Sequence, residues 1–238
     1  MNDTVFTITA MQRPEILKQT LESFQFISKL KDHICCINVD SFSNDLTKSN
    51  ECIEIAEQYF GDVIHSYGEG NFSKALKNVW LSACMLQPKY VFHLEDDWLL
   101  LRPQSLINLK SYLNLKNVRP EPILQVAIRA YRHSLKSGRF QLAPNVMPLA
   151  LIDEFLEKEI IKKRENPEDS IRRYLKQTDR SQSTIYTTSD VILKDIGRQY
   201  MKDNLFTHNG NRKTFVSWRQ CTQEETWLIK NQNKEIDS

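Results

Sequence analysis

The first hundred residues alternate between strand-like and helix-like segments, and this order constrains the fold more than any other feature. Short β-favouring apolar runs occur at Val5–Thr9, Ile34–Val39, Val63–Ser66 and Tyr90–Leu94. Between these runs, apolar residues recur at helical spacing, first at Leu17, Leu21, Phe24 and Ile27. Strands that alternate with helices in this way predict an α/β fold with a mainly parallel sheet flanked by helices.

Three adjacent carboxylates, Glu95, Asp96 and Asp97, follow directly after the fourth apolar run. Mutual repulsion and loss of hydration raise the free energy of such a cluster at the end of a buried strand. A divalent cation would relieve both costs, because hard cations prefer carboxylate oxygens as ligands. The competing interpretation is that the acids only cap the start of a helix, where negative charge is favourable.

A further carboxylate, Asp40, follows the second apolar run. Ligands of open parallel sheets bind in a crevice beyond the carboxyl ends of the strands. Asp40 and the acids at 95–97 are therefore expected to face the same crevice. The structural alternative for Asp40 is a turn-forming aspartate at a strand end.

Composition disfavours several classes of protein. The 238 residues include six glycines, and neither G-x-G-x-x-G nor G-x-x-x-x-G-K-[ST] is present, which argues against a usual dinucleotide-binding fold and a P-loop NTPase. The net charge of +2 does not indicate a nucleic-acid binder. Five cysteines without a C-x-x-C pair are expected to be reduced, as in a cytoplasmic protein. No apolar run reaches the ~20 residues that span a bilayer, and no signal peptide is expected.

The second half of the chain is less regular, but no linker separates it from the first. Strands are expected at Ile123–Ile128 and Ser183–Thr187, and a helix at Leu151–Ile161. Asn166-Pro-Glu-Asp169 has the residues that open another helix. We therefore predict a single domain over residues 1–238.

Taken in order, these motifs resemble those of GT-A-fold glycosyltransferases, especially the inverting family-2 type. Val5–Leu17 is similar to that family's first strand and Arg-Pro-containing helix start, and Asn38–Asp45 resembles its second-strand segment. Glu95–Asp97 stands where the family has its D-x-D metal motif. Asn166–Asp169 stands where the family has the acidic motif that supplies a catalytic base. The resemblance implies a Rossmann-like GT-A domain, with residues 1–100 binding a nucleotide sugar and residues 101–238 forming the acceptor half and a C-terminal lid.

The resemblance also implies roles for individual residues. Residues expected to bind the nucleotide sugar, most simply a UDP-sugar, are Thr9, Arg13, Asp40, Glu95, Asp96 and Arg198. Asp97 is expected to ligate Mn²⁺ or Mg²⁺, with His208 as a further ligand or a diphosphate contact. Arg13 fits a solvated surface position equally well, and a lone histidine such as His208 more often has neither of these roles. The first acid of the metal motif is Glu rather than Asp, which leaves the division of roles among the three carboxylates open.

An inverting transfer needs a base to deprotonate the acceptor hydroxyl. Asp169 is the first candidate and Glu168 the second. Acids in the first turn of a helix also offset the helix dipole, so local structure alone explains the same tetrapeptide. The two roles are compatible.

The acceptor is expected to be a glycan or a lipid-linked sugar. Lys162–Arg180 carries seven Lys or Arg against four acids, so a phosphate-bearing acceptor such as a base of DNA is the alternative within the same reaction class. A nucleotidyltransferase is disfavoured because Thr9–Pro14 lacks glycine. A non-catalytic nucleotide-sugar-binding module is disfavoured by the intact acids at 95–97.

Overall fold

The chain folds around one large sheet. The computed structural model describes residues 3–41, 46–115, 123–129, 139–162, 165–186, 190–204, 206–209, 217–220 and 222. The strands within these ranges are β1 (Thr4–Met11), β2 (Ile34–Asp40), β3 (Asp62–Gly68), β4 (Tyr90–Glu95), β5 (Trp98–Leu100), β6 (Gln125–Ala127), β7 (Asn145–Pro148), β8 (Thr184–Tyr186), β9 (Leu193–Asp195), β10 (Phe206–Asn209) and β11 (Ser217–Gln220).

The helices alternate with these strands as the sequence predicts. They are α1 (Pro14–Phe24), α2 (Thr47–Tyr59), α3 (Phe72–Leu86), α4 (Leu106–Leu113), α5 (Leu149–Glu157), α6 (Pro167–Gln177) and α7 (Gly197–Asp203). Two of them start at asparagine caps: Oδ1 of Asn71 accepts a bond from the N–H of Lys74, and Oδ1 of Asn166 accepts one from Glu168. None of the described helices has the length and apolar character needed to cross a bilayer.

The large sheet has the strand order β3-β2-β1-β4-β7-β6-β8. Neighbouring strands from β3 to β4 are parallel, β7 is antiparallel to both its neighbours, and β6 is parallel to β8. The expectation of a mainly parallel sheet is therefore confirmed. The chain moves outward from β1 through β2 to β3 and then crosses to β4 on the other side of β1. The strand order reverses between β1 and β4, and in open α/β sheets this is the place where ligands bind.

Two apolar clusters cover the two faces of the sheet. One joins Phe6 and Ile8 to buried residues of α1, α2 and α4, and the other joins Val5 and Val91 to α3, α5 and α6. Each fully buried Leu or Phe side chain contributes about 2 kcal/mol to folding. His93 lies inside the sheet layer, where burial lowers its pKa to about 3 and its Nδ1 is 3.0 Å from Oγ1 of Thr7. It is a core histidine.

Some boundaries differ from the sequence-based expectation. The helix expected at Leu151–Ile161 begins at Leu149 and ends at Glu157, because Pro148 ends β7 and leads directly into the first turn. Glu159 adopts a positive φ of 50°, and the N–H of Ile160 turns back to the carbonyl of Phe155, which stops the helix. Cys35, Cys36 and Cys52 are buried free thiols, as predicted for reduced core cysteines.

Candidate active site

The predicted site residues of the first half meet where the strand order reverses. Thr9 near the end of β1 is in register with Glu95 at the end of β4, and Asp40 ends β2 beside Met11. The carbonyl of Thr9 accepts a bond from the N–H of Asp96, 3.1 Å away, which fixes the acidic turn to β1. Asp40 and the acids at 95–97 therefore lie at the same edge of the sheet, where a common crevice stays a prediction.

Arg13 and Asp96 form a buried ion pair at the base of this crevice. Nη2 of Arg13 lies 2.5 Å from Oδ1 of Asp96 and 3.1 Å from Oδ2 of Asp97, and the Arg13 side chain is 2% exposed. Burial alone would lower the pKa of Arg13, but the charges of Asp96 and Asp97 outweigh that effect and raise it. Oδ2 of Asp96 also accepts a bond from the N–H of Met11. Asp96 therefore contacts the protein with both oxygens, and Arg13 is not a solvated surface residue.

Glu95 and Asp97 are the acids of this turn whose charged forms the protein disfavours. Burial and the charge of Asp97 raise the pKa of Glu95 well above its usual value, while Nε1 of Trp98 donates to Glu95 Oε2 over 2.8 Å. Burial also raises the pKa of Asp97, to about 6, against the opposing effect of Arg13. The protein thus only partly offsets the charge of these two carboxylates.

The beginning of α7 closes one side of the acidic turn. The antiparallel pair β5 and β9 places Asp195 opposite Trp98, and the N–H of Ile196 donates to the carbonyl of Asp97 over 2.9 Å. A Cβ atom at Gly197 would lie 2.1 Å from Oδ2 of Asp97 and 2.6 Å from Nη1 of Arg13. The charge of Asp195 adds to those that raise the pKa of Asp97. The sequence analysis singled out Arg198 in this segment but missed Asp195 and Gly197.

Asp40 sits in a separate polar recess beside this turn. Its Oδ1 accepts a bond from Nδ2 of Asn38 over 3.2 Å, and Oδ1 of Asn38 accepts bonds from Ser66 and Asn78. Burial raises the pKa of Asp40 to about 6. Gly68 leaves room for this carboxylate, since a Cβ there would lie 1.6 Å from Asp40 Oδ1. The three amide and hydroxyl partners had no recognisable sequence signal, because each is an ordinary residue of a strand or helix.

The two acids of α6 have different surroundings. Oε1 of Glu168 accepts bonds from Nη2 of Arg172 over 2.8 Å and from the N–H of Leu142 over 3.3 Å, and burial raises its pKa. The Asp169 side chain is 58% exposed and lies 3.6 Å from Nη1 of Arg172. The charge of Glu168 also raises the pKa of Glu95, so the start of α6 lies within electrostatic range of the acidic turn.

Other candidates are less clearly placed at the site. Arg198 is 69% exposed and pairs with Asp195 at 3.3 Å. His208 lies in β10 opposite Trp218, but its side chain is outside what the structure describes. Among the described residues, no group of three or more His, Cys, Asp or Glu side chains is arranged to hold a metal ion. Glu95 and Asp97 can therefore supply only part of a coordination shell.

Comparison with known proteins was informative only at the level of three-dimensional structure. No protein-family model and no curated protein sequence matches this chain. A mannosyltransferase from Pyrobaculum calidifontis, solved with GDP-mannose and Mn²⁺, superposes with a TM-score of 0.55 at 13% identity, over 80% of this chain and 56% of that one. Residues 1–349 of S. aureus TarS, solved with UDP-GlcNAc, give 0.50 at 11% identity, over 79% and 57%.

This chain thus spans just over half the length of the two structures that it resembles. The likeness confirms the predicted fold: the chain has the GT-A architecture, with a Rossmann-like, mainly parallel sheet between two layers of helices.

Proposed function

We propose that this protein is a metal-dependent glycosyltransferase that moves a sugar from a nucleotide-sugar donor to an acceptor hydroxyl, with inversion. The observation that carries the proposal is the gathering of Glu95, Asp97 and Asp195 at one turn beside the buried cation Arg13, with Asp40 at the end of a neighbouring strand. Acids gathered in this way bind a cation together with an anionic ligand that completes its coordination. A nucleotide diphosphate is such a ligand.

The residues present fit Mn²⁺ or Mg²⁺. Both ions take oxygen ligands, and Mg²⁺ is commonly held by one or two carboxylates plus substrate phosphates rather than by an all-protein cage. Asp97 is the direct ligand in this proposal, and Glu95, oriented by Trp98, is the second oxygen donor. A bound divalent ion would act as a Lewis acid and stabilise the charge of the departing diphosphate.

The remaining residues bind and orient the substrates. Asp40 accepts a hydrogen bond from an N–H of the nucleotide base. Thr9 Oγ1 is buried without a hydrogen-bond partner among the described residues, and it donates a hydrogen bond to the nucleotide sugar. Asp96 acts indirectly in this scheme, because it holds Arg13 and Met11 in place. Asp169, exposed at the start of α6, accepts the proton of the attacking hydroxyl. Glu168 positions the first turn of α6 through its hydrogen bonds with Arg172 and with the N–H of Leu142.

Calorimetric titration with a panel of sugar nucleotides, with and without Mn²⁺, tests the proposal. Metal-dependent binding of one nucleotide class is the expected result, and UDP-sugars are the first to try. Binding of free nucleoside triphosphates in preference to sugar nucleotides would instead indicate a nucleotidyltransferase. Absence of binding to the whole panel would overturn the proposal.

Asp97→Asn is the sharpest variant for the metal assignment. The amide keeps the shape of the side chain but loses the charge, so Mn²⁺-dependent donor affinity should fall at least about tenfold. Asp62→Asn, at an exposed position that begins β3, is the matched control. Wild-type Mn²⁺ dependence in Asp97→Asn would sink the assignment.

A further inference from the structure

A second, positively charged pocket lies beside α6. Its volume is about 310 Å³, within the range of small-ligand sites. Phe140 and Leu175 are its buried apolar residues, and its charged residues are Arg139, Arg172, Arg173 and Lys176. Among the described residues that line it, none is acidic. Four cations around one small cavity repel one another, and an anion inside it would remove that cost.

Two of the four cations are already partly neutralised from outside the pocket. Arg173 pairs with Glu165 at 2.8 Å, and Arg172 pairs with Glu168 at 2.8 Å and contacts Asp169 at 3.6 Å. Among the described residues, Arg139 and Lys176 form no ion pair. These two side chains therefore hold the charge that is available to an incoming anion.

Arg172 connects the pocket to the proposed catalytic base. Its Nε donates to the carbonyl of Phe140 over 2.7 Å, which fixes the guanidinium at the pocket wall, while its other nitrogens contact Glu168 and Asp169. Along α6, Asp169 precedes Lys176 by seven residues, so the two lie about 10 Å apart on the helix axis. An anion in the pocket would thus lie roughly one or two sugar units away from the acceptor hydroxyl that Asp169 is proposed to deprotonate.

We propose that this pocket binds a phosphate group carried by the acceptor, on a phosphorylated sugar unit. The inference rests on the proposed function, because it assigns the acceptor side of the same reaction. The pocket is compact and its available cations are confined to two residues, whereas a nucleic-acid track needs charge extended along many phosphates. With a net charge of +2, the chain lacks the strong positive charge that such a track usually brings.

Titration of the full chain with inorganic phosphate, at low and moderate salt, probes the pocket directly. Lys176→Gln and Arg139→Gln, singly and combined, remove the available charge without touching the proposed catalytic residues. Lys29→Gln, whose parent side chain is 77% exposed and pairs with Asp32, is the matched control. We expect about a tenfold loss of phosphate affinity in the double variant and none in the control. Affinity equal to wild type in the double variant would overturn the proposal.

Transfer assays separate this inference from the proposed function. Acceptors are compared in pairs, each sugar with and without a phosphate, using the donor identified by calorimetry. The double variant should raise KM for the phosphorylated member while leaving kcat and Mn²⁺-dependent donor affinity unchanged. Loss of affinity for a DNA oligonucleotide, with no effect on phosphorylated sugars, would assign the pocket to DNA and contradict the proposal. Failure of every donor to bind would remove the proposed function, whereas the phosphate titration would still report on the pocket.

Discussion

Asp40 and Asp97 illustrate how burial makes single carboxylates responsive to pH. Each has its pKa raised to about 6, far above that of a hydrated aspartate, because the crevice removes water from the charged form. The folded chain therefore binds protons at these residues more tightly than the unfolded chain does. Ionisation of either residue opposes folding above the unfolded pKa of about 4, and the penalty is complete above pH 6.

Asp40→Asn should stabilise the protein at pH 7.5 and have a smaller effect at pH 5. The variant removes a buried charge whose raised pKa corresponds to a penalty on the order of 2–3 kcal/mol at the higher pH. Because that penalty develops between about pH 4 and pH 6, part of it is already absent at pH 5. Urea unfolding of both chains at the two pH values, without added metal, measures the difference. A change in unfolding free energy that is equal at the two pH values would contradict the prediction.

Asp169→Asn should retain donor affinity and lose turnover by about 10²–10⁴-fold, because the amide cannot accept the acceptor's proton. Glu168→Gln is the isosteric comparison. Its amide oxygen can still accept the bonds from Leu142 and Arg172, so its turnover should stay within about tenfold of wild type. Single-turnover kinetics with saturating donor distinguishes the two variants. The opposite ranking would move the base to Glu168.

At this scale, sequence reasoning located the residues but did not determine their partners. It placed Glu95, Asp96 and Asp97 at a strand end because an apolar run precedes them. It could not tell that Asp96 pairs with Arg13, since that contact joins residues separated by 83 positions and depends on how α1 packs. For the same reason it left Arg13 between a buried and a solvated role.

Among the elements, α7 has the closest connection to the acidic turn. Its first residue, Gly197, contacts Asp97 and Arg13 so closely that no side chain fits there without displacing one of them. The β5–β9 pair, in which Trp98 is opposite Asp195, holds the residues that lead into α7 next to the acidic turn. The position of α7 and the geometry of the Asp97 carboxylate are therefore coupled.

Gly197→Ala should weaken Mn²⁺-dependent donor binding by about tenfold or more, because the added methyl group pushes Asp97 out of position. Gln199→Ala, at an exposed position on the same helix, adds no atom near the turn and should bind as wild type does. Calorimetry with the donor and Mn²⁺ measures both. Unchanged affinity in Gly197→Ala would show that the turn tolerates displacement.

Sequence periodicity predicted the elements of the first half because most of them are apolar runs with a clear period, and α3 also begins at an asparagine cap. Beyond residue 120 the strands are three or four residues long, too short for periodicity to define. The pairing of β5 with β9 left no signal at all, since it depends on contacts between distant parts of the chain. For this reason the C-terminal side of the site was predicted only as a segment.

At the scale of the whole molecule, both apolar clusters share the strands of one sheet. Adjacent residues of β1 point into opposite clusters, Val5 into one and Phe6 into the other. Neither layer can lose its contacts without exposing the strands on which the other packs. The single domain stays a prediction, and this sharing of strands makes it testable by unfolding.

Unfolding should therefore follow one cooperative transition. Trp98 belongs to the cluster with α1, and Trp80 to the cluster with α3, so each reports on one face of the sheet. Two variants test this, each retaining one of these tryptophans and carrying Phe at the other tryptophan positions. In each variant the urea midpoint measured by tryptophan fluorescence should equal the midpoint that circular dichroism gives for the same variant. Separate midpoints for the two faces would indicate two independently stable units.

The contact of Gly197 with Asp97 also bears on when the site forms during folding. Arg13, Asp97 and Gly197 are brought together from positions roughly a hundred residues apart, and such long-range closures cost more chain entropy than local ones. Strands β1 to β4 can assemble before that closure takes place. We expect donor-binding competence to appear late in refolding, after most of the secondary structure, so that a chain truncated before residue 193 would retain much of its sheet without a completed acidic turn.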